Sequence, residues 1–149
     1  MSNGPLIGFP MESIKVRLID GSYHSVDSDA LAFQIAAGIA FREACKKAKS
    51  VLLEPIMRYE IVTPSEYIGE VTSDLNKRRG HVEEIGSRMN DQVIHGKVPL
   101  AEMFGYVTTL RSITSGRATS MLEFSHYQAT PQEIMDEVLY KIRGYVPVY

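Results

Sequence analysis

The sequence TPSEYIGEVTSDLNKRRG, residues 63–80, carries the clearest helix signals in the chain. Thr63 is a typical N-cap residue, Pro64 suits the first helical position, and Glu66 stands three residues after the cap, as in a capping box. Apolar side chains then recur at helical spacing until the cations and the glycine of KRRG, residues 77–80. Cations favour the last turn of a helix, and glycine favours the position just past it. A helix is therefore predicted to begin at Pro64 and to end before Gly80.

Short apolar segments lie on both sides of this helix. The segment that precedes it, residues 52–62, contains the β-branched and aromatic residues that favour strands. Two further segments follow at residues 82–85 and 93–98, separated by the turn-forming sequence SRMND. This arrangement predicts one strand before the helix and a hairpin after it.

A second helix and a last strand complete the pattern. Apolar residues keep a 3.6-residue period from Ala101 to Thr114, before Ser115-Gly116 ends it, and residues 117–127 alternate as a strand does. The resulting order is β-α-β-β-α-β. It predicts an α+β fold, the ferredoxin-like split βαβ sandwich, with four strands under two helices.

The two ends of the chain hold further elements. Residues 13–20 alternate as a strand does and lead to a turn at Asp20-Gly21-Ser22, and a long helix is predicted to begin near Ser28 and to run to Lys49. A terminal helix is predicted from Pro131 to Arg143, with Thr130 as its cap, followed by a loose tail over residues 145–149.

The first segment cannot cover its own apolar side chains. One strand and one helix are too few for a stable two-layer unit. Leu31, Ile35 and Ile39 should therefore be covered by a neighbouring copy of the chain, by the terminal helix or through partial disorder. The expectation is that the chain is a fragment of a larger protein and that it can self-associate.

Composition limits the function classes. The 149 residues have a net charge of −2, so contact with nucleic acid must come from local patches of cations. The single cysteine, Cys45, excludes an internal disulfide and suits a reducing cytoplasm. No segment is long and apolar enough to predict a membrane helix, and no secretory signal precedes the first strand.

The sequence offers no catalytic constellation and no metal motif. The histidines lack the spacing and the cysteine or carboxylate neighbours of metal sites, and Ser125-His126 has no third group that would orient the histidine. The pattern G-x-x-x-x-G-K-[ST] is also absent, so no P-loop nucleotide site is expected. No catalytic residue, no metal and no cofactor is therefore predicted for these 149 residues.

Several sequence blocks resemble one known family. The blocks LLEPI, VTPSEYIGEVTSDLNKRRG, VPLAEMFGYVTTLRSITSGRA and EFSHY resemble the fifth domain of bacterial-type elongation factor G, the GTPase that drives ribosomal translocation. The block DGSYHSVDSDALAFQIAAGIAFREACKKA resembles the second half of its fourth domain. The resemblance runs from Gly4 to about Arg143.

The resemblance implies a domain organisation and a parent protein. Residues 1–50 would be part of the fourth domain, with a partial fold like domain 2 of ribosomal protein S5. Residues 51–128 would be the fifth domain, and residues 129–149 would be a C-terminal helix and tail. The parent would bind GTP and Mg²⁺ through residues outside this chain.

The loop between the first strand and the first helix is the first candidate site. On the sequence alone, His24 is an exposed histidine without a role. The resemblance implies that this loop reaches transfer RNA in the decoding region of the small subunit, where a histidine can stack on a base or donate to phosphate. The candidate residues of this tip loop are Ser22, Tyr23, His24 and Ser25.

The second candidate site consists of cations, small polar residues and aromatic residues around the two predicted helix ends of the fifth domain. Without the resemblance, the cations complement helix dipoles, and two of Met103, Phe104 and Tyr106 pack in the core while Phe104 or Tyr106 faces a partner. The resemblance implies contact with the sarcin-ricin loop of large-subunit RNA and with the stalk base. The candidates are Lys77, Arg78, Arg79, Phe104, Tyr106, Arg111, Ser112, Gly116 and Arg117.

Two other functions remain open at this point. Related ribosomal GTPases, such as mitochondrial factors and ribosome-protection proteins, share the same C-terminal architecture. A ferredoxin-like domain can also bind a small effector or dimerise through its sheet, and fold alone does not separate these functions.

Overall fold

A computed structural model describes residues 4–144 of the chain. The chain divides into two compact units, Met1–Leu52 with Pro131–Tyr149 and Leu53–Thr130. The helices are α1 (Ala30–Lys47), α2 (Ile68–Lys77), α3 (Tyr106–Ile113) and α4 (Gln132–Arg143). The strands are β1 (Leu53–Pro64), β2 (His81–Arg88), β3 (Asp91–Pro99) and β4 (Thr119–Ala129).

The Leu53–Thr130 unit has the predicted ferredoxin-like topology. Its four strands form one sheet in the order β2-β3-β1-β4, and each neighbouring pair is antiparallel. The predicted hairpin is formed by β2 and β3, and Met89 adopts a positive φ of 56° at its tip. The β-α-β-β-α-β prediction is confirmed.

The core of this unit joins the central strands to both helices. Tyr59 and Ile61 of β1 and Ile94 of β3 are almost fully buried, and they belong to the same cluster as Leu75 of α2 and Leu110 of α3. Burial raises the pKa of Tyr59 to about 12, so the hydroxyl stays protonated at neutral pH. It donates a hydrogen bond to the carbonyl oxygen of His81 at 3.3 Å.

The predicted capping box before α2 is wrong. Thr63 and Pro64 belong to β1, where they lie opposite Gln92 and Asp91 of β3, and no side chain caps the 3₁₀ turn Ser65–Tyr67 that precedes α2. Thr63 is fully buried near the end of β1, and its hydroxyl donates to the carbonyl oxygen of Pro64 at 3.5 Å instead of accepting from a helix amide.

The second predicted helix is divided into two parts. A 3₁₀ turn covers Leu100–Met103, and α3 begins only at Tyr106. Gly105 lies between them with φ 74°, a left-handed conformation that interrupts a right-handed helix.

The end of α2 also differs in detail from the prediction. Arg79 takes the left-handed conformation, with φ 60°, one residue before the glycine expected there. Gly80 instead allows a close approach, because its amide donates to the carbonyl oxygen of Leu75 at 2.8 Å, and a Cβ atom would lie 2.8 Å from that oxygen.

In the other unit, α1 forms but the predicted strand does not. Asp29 caps α1 by accepting a hydrogen bond from the amide of Ala32 at 2.7 Å. Residues 13–20 form no strand, because the described residues supply no partner strand for their backbone groups. Leu31, Ile35 and Ile39 are more than half exposed, so α4 does not cover them as one expectation allowed, and self-association stays a prediction.

The terminal helix α4 is confirmed apart from its cap. The hydroxyl of Thr130 is buried and has no partner among the described residues, and no side chain caps α4. Gly144 ends the helix with φ 75°. The predicted tail, residues 145–149, lies outside the described residues. Within residues 4–144, no helix has the length and hydrophobicity needed to cross a membrane.

Candidate nucleic-acid interface

Phe104 is the most exposed of the three apolar residues that precede or begin α3. Its residue surface is 79% exposed, whereas Met103 and Tyr106 on either side are 7% and 1% exposed. The two buried neighbours anchor the turn, and Gly105 lets the chain reverse between them. Phe104 is therefore the exposed residue of the two, and its contact with a partner stays a prediction. The prediction that Tyr106 contacts a partner is wrong, because Tyr106 is enclosed in the core.

One side of α3 is open to solvent. Exposed residues recur every three or four positions from Val107 and Thr108 to Arg111 and Ser112, and Ser115 continues the series past the helix. We call the exposed residues Phe104, Val107, Thr108, Arg111, Ser112 and Ser115 the α3 face. Arg111 makes no ion pair with any residue between 4 and 144, so its guanidinium is free to bind an anion.

In the turn after α3, the backbone amides of Gly116 and Arg117 are already used within the chain. The amide of Gly116 donates to the carbonyl oxygen of Arg111 at 2.8 Å, and that of Arg117 donates to Thr114 at 2.9 Å. Arg117 also pairs with Glu66, and its guanidinium lies 5.7 Å from the ring centroid of Tyr67. Arg117 is still more than half exposed, so it can reach an anion only by sharing its charge with Glu66.

The three cations at the end of α2 differ from one another. Lys77 is exposed and has no ion pair among the described residues. Arg79 donates to both carboxylate oxygens of Glu54, at 2.5 and 3.1 Å, and this hydrogen bonding raises its pKa. Arg78 pairs with Asp74 at 2.8 Å. Both guanidinium groups are therefore engaged inside the domain, and contact of Arg78 and Arg79 with RNA stays a prediction.

The candidates Lys77, Phe104 and Arg117 lie at opposite ends of the sheet. Lys77 and Phe104 lie at the end of the sheet where β3 ends, whereas Arg117 lies where β1 ends. Between these ends, α3 is eight residues long, or about 12 Å at 1.5 Å per residue. The α3 face therefore runs from the end that holds Phe104 towards the end that holds Arg117.

The tip loop lies in the other unit, and Ser22 to Ser25 are all exposed. The amide of His24 donates to the hydroxyl of Ser28 at 2.7 Å, and the amide of Ser28 donates back to the carbonyl oxygen of His24 at 3.1 Å. Asp29 then caps α1. These bonds tie the backbone of the loop to the start of α1 and leave the rings of Tyr23 and His24 in solvent.

No reactive cluster competes with these surfaces. Among residues 4–144, no group of three histidine, cysteine or carboxylate residues could hold a metal ion. The hydroxyl of Ser125 lies 3.0 Å from Nδ1 of His126, but Nε2 meets the side-chain oxygen of Gln128 rather than a carboxylate. Cys45 is buried, with its sulfur 4.0 Å from that of Met11.

The Leu53–Thr130 unit is thus a ferredoxin-like domain that presents a cation, hydroxyls and an aromatic ring along one helix. A family model described as "Elongation factor G C-terminus" matches residues 51–138, and one described as "Elongation factor G, domain IV" matches residues 1–49. The first match covers more than half of the chain. The chain therefore belongs to the elongation factor G family.

Individual proteins agree with the family models. Elongation factor G from Amoebophilus asiaticus (strain 5a2) and elongation factor G from Cytophaga hutchinsonii are each 54% identical to this chain over 144 residues. A crystal structure of a protein from Thermus thermophilus is 40% identical, with a TM-score of 0.80, and the match covers 97% of this chain and 22% of that one.

The matched proteins are much longer than this chain. The alignments cover 97% of these residues but only 20% of each elongation factor. The two matching family models describe domain IV and the C-terminus, and the 149 residues contain no phosphate-binding loop. The GTPase domain of the family is therefore not part of this chain.

Proposed function

We propose that this chain is the ribosome-binding C-terminal region of a translocation GTPase, which promotes the movement of transfer RNA and messenger RNA during protein synthesis. The family match supports this function. The observation that carries it is the α3 face, which combines the unpaired Arg111 with the exposed Phe104. A module that binds a small effector would need an enclosed pocket instead.

The α3 face suits the loop regions of a folded RNA. An exposed aromatic ring can stack on an unpaired base, and arginine can bind a phosphate through two parallel hydrogen bonds. Ser112 and Ser115 add hydroxyl groups that can donate to phosphate or ribose oxygens. We assign this face, with Lys77, Gly116 and Arg117 at its two ends, to the sarcin-ricin loop of large-subunit RNA and the stalk base.

The tip loop would make the second contact. His24 and Tyr23 present two exposed rings on a backbone that Ser28 and Asp29 hold at the start of α1. Two rings on a fixed turn can stack on bases or donate to phosphate at little ordering cost. We assign residues 22–25 to transfer RNA and the decoding region of the small subunit.

The parent protein would supply the remaining chemistry. GTP and Mg²⁺ would bind to its GTPase domain, outside the present residues, and hydrolysis would occur there. The protein would act where ribosomes are found, in the cytoplasm.

Replacing His24 with alanine in the complete factor should slow translocation and leave folding intact. The loss of one ring contact with RNA is expected to cost about 1 to 3 kcal/mol, roughly 5- to 150-fold in rate if the contact forms in the transition state. Ribosome-stimulated GTP hydrolysis should change far less, since it depends on another domain. Single-turnover translocation and GTPase rates would be measured together.

His126→Ala provides the matched control, because His126 is also exposed but lies in the other unit. It should leave translocation unchanged. If His24→Ala translocates as fast as the unsubstituted factor, the tip loop has no role in RNA contact through His24.

A further inference from the structure

Arg78 makes more internal contacts than any other cation of the Leu53–Thr130 unit. Its Nε donates to Asp74 at 2.8 Å, one terminal nitrogen donates to the carbonyl oxygen of Glu102 at 2.7 Å, and the other donates to the hydroxyl of Thr109 at 3.1 Å. The guanidinium also lies 5.2 Å from the ring centroid of Tyr106. Only 19% of the side chain is exposed.

These contacts enclose the Phe104 turn. Glu102 precedes Phe104 by two residues, Tyr106 follows it by two, and Thr109 lies in the first turns of α3. Asp74 fixes the other side of the guanidinium on α2. One planar group therefore joins the end of α2 to both sides of the turn that exposes Phe104.

We infer that Arg78 is a positioning residue, which orders the Phe104 turn and the start of α3 so that the α3 face is preformed for RNA. Its role is to hold the turn rather than to bind phosphate, because three of its five N–H donors are engaged by Asp74, Glu102 and Thr109 and only 19% of its side chain is exposed. The ordering of the turn follows from the contacts alone, whereas its value for RNA binding rests on the proposed function.

The substitution Arg78→Lys distinguishes a positioning role from a direct contact with phosphate. Lysine keeps the charge but lacks the planar fork, so it cannot hold Asp74, Glu102 and Thr109 together. A phosphate contact would tolerate Arg78→Lys, whereas a positioning residue would not.

The chain contains no tryptophan, so Phe104→Trp creates a single indole reporter on the turn, which can be excited apart from the tyrosines. We expect the fluorescence anisotropy of this indole reporter to fall in the Arg78→Lys and Arg78→Gln variants, and to fall less in Thr109→Val, which removes one of the three hydrogen bonds. Arg111→Gln should leave it unchanged. Thr109→Val keeps the test decisive if the Arg78 variants fail to fold, which far-UV circular dichroism would show.

Binding to an RNA hairpin of the sarcin-ricin loop sequence completes the test, measured on the otherwise unsubstituted chain at several salt concentrations. Loss of ordering should weaken binding roughly threefold to tenfold in both Arg78 variants and leave the slope of log K against log salt unchanged. Arg111→Gln should lower that slope by about 0.7 to 0.9, the value for one phosphate contact.

The outcomes separate the two claims. Any of three results would overturn the positioning role. Arg78→Lys could bind the hairpin as tightly as the unsubstituted chain does, or Arg78→Gln could reduce the salt slope. The third result is an unchanged anisotropy of the indole reporter in all three turn variants. If the unsubstituted chain binds neither the hairpin nor ribosomes, the proposed function fails, and the anisotropy alone decides whether Arg78 orders the turn.

Discussion

Replacing Gly96 with alanine is expected to destabilise the Leu53–Thr130 unit by about 3 kcal/mol, the upper end of the usual range for overpacking. Gly96 lies on β3 opposite Tyr59 of β1 and Val82 of β2. A Cβ atom there would collide with the carbonyl oxygen of His81 and with the phenol of Tyr59, whose Cζ would be 2.6 Å away. Both groups take part in the hydrogen bond that the Tyr59 hydroxyl makes, so neither can move without breaking it.

Gly86→Ala is the matched control for this substitution. Gly86 lies on β2 of the same hairpin, and a Cβ atom there would meet nothing within 4 Å. The free energy of unfolding of the Gly86→Ala variant should differ from that of the unsubstituted chain by less than about 1 kcal/mol, the typical size of a glycine-to-alanine effect on the unfolded chain. Urea unfolding followed by circular dichroism would compare the two variants, and equal stabilities would show that the close approach at Gly96 does not constrain the sheet.

Reversing the charge of Arg111 should produce the largest loss of ribosome binding. A charge-assisted hydrogen bond is worth about 1.5 to 3 kcal/mol, so Arg111→Glu should weaken binding at low salt by roughly 10- to 150-fold. The effect on folding should be small, because Arg111 is exposed and makes no ion pair among the described residues. Sedimentation of labelled protein with ribosomes, at increasing salt, would measure the affinity.

Arg88→Glu tests whether the loss is local. Arg88 is also exposed and also lacks an ion pair within residues 4–144, but it lies on β2, at the opposite edge of the sheet from β4. Reversing the charge of Arg88 should change the affinity for ribosomes only through the small change in the net charge of the chain. Equal losses for Arg88→Glu and Arg111→Glu would indicate general electrostatic attraction instead of contact by the α3 face.

The fold could be predicted where the signals were local and the tertiary structure agreed with them. The hairpin around Met89 and the end of α4 at Gly144 follow from turn and cap residues. The prediction failed at Thr63, where pairing with β3 outweighs capping, and at residues 13–20, where an alternating pattern has no partner strand among the described residues. A strand pattern shows which face can be buried, but the sheet must supply the partner.

The candidate site was only partly predictable for a related reason. Three consecutive cations, residues 77–79, are equivalent in a sequence pattern. Only the structure shows that Arg78 and Arg79 pair with carboxylates inside the domain, whereas Lys77 has no ion pair among the described residues. The sequence analysis also missed Val107 and Thr108. Helical spacing from Arg111 would have found them, since positions three and four residues apart share one face.

Directed hydroxyl-radical probing tests the central claim, that the α3 face lies against the sarcin-ricin loop. Cys45 is the only cysteine and is buried, so a Cys45→Ser background allows an iron chelate to be tethered at Ser112→Cys, with Ser87→Cys on β2 as the control. We expect strong cleavage of large-subunit RNA in the sarcin-ricin loop from position 112 and weak cleavage from position 87. Absence of cleavage there from position 112, or equal cleavage from both positions, would contradict it.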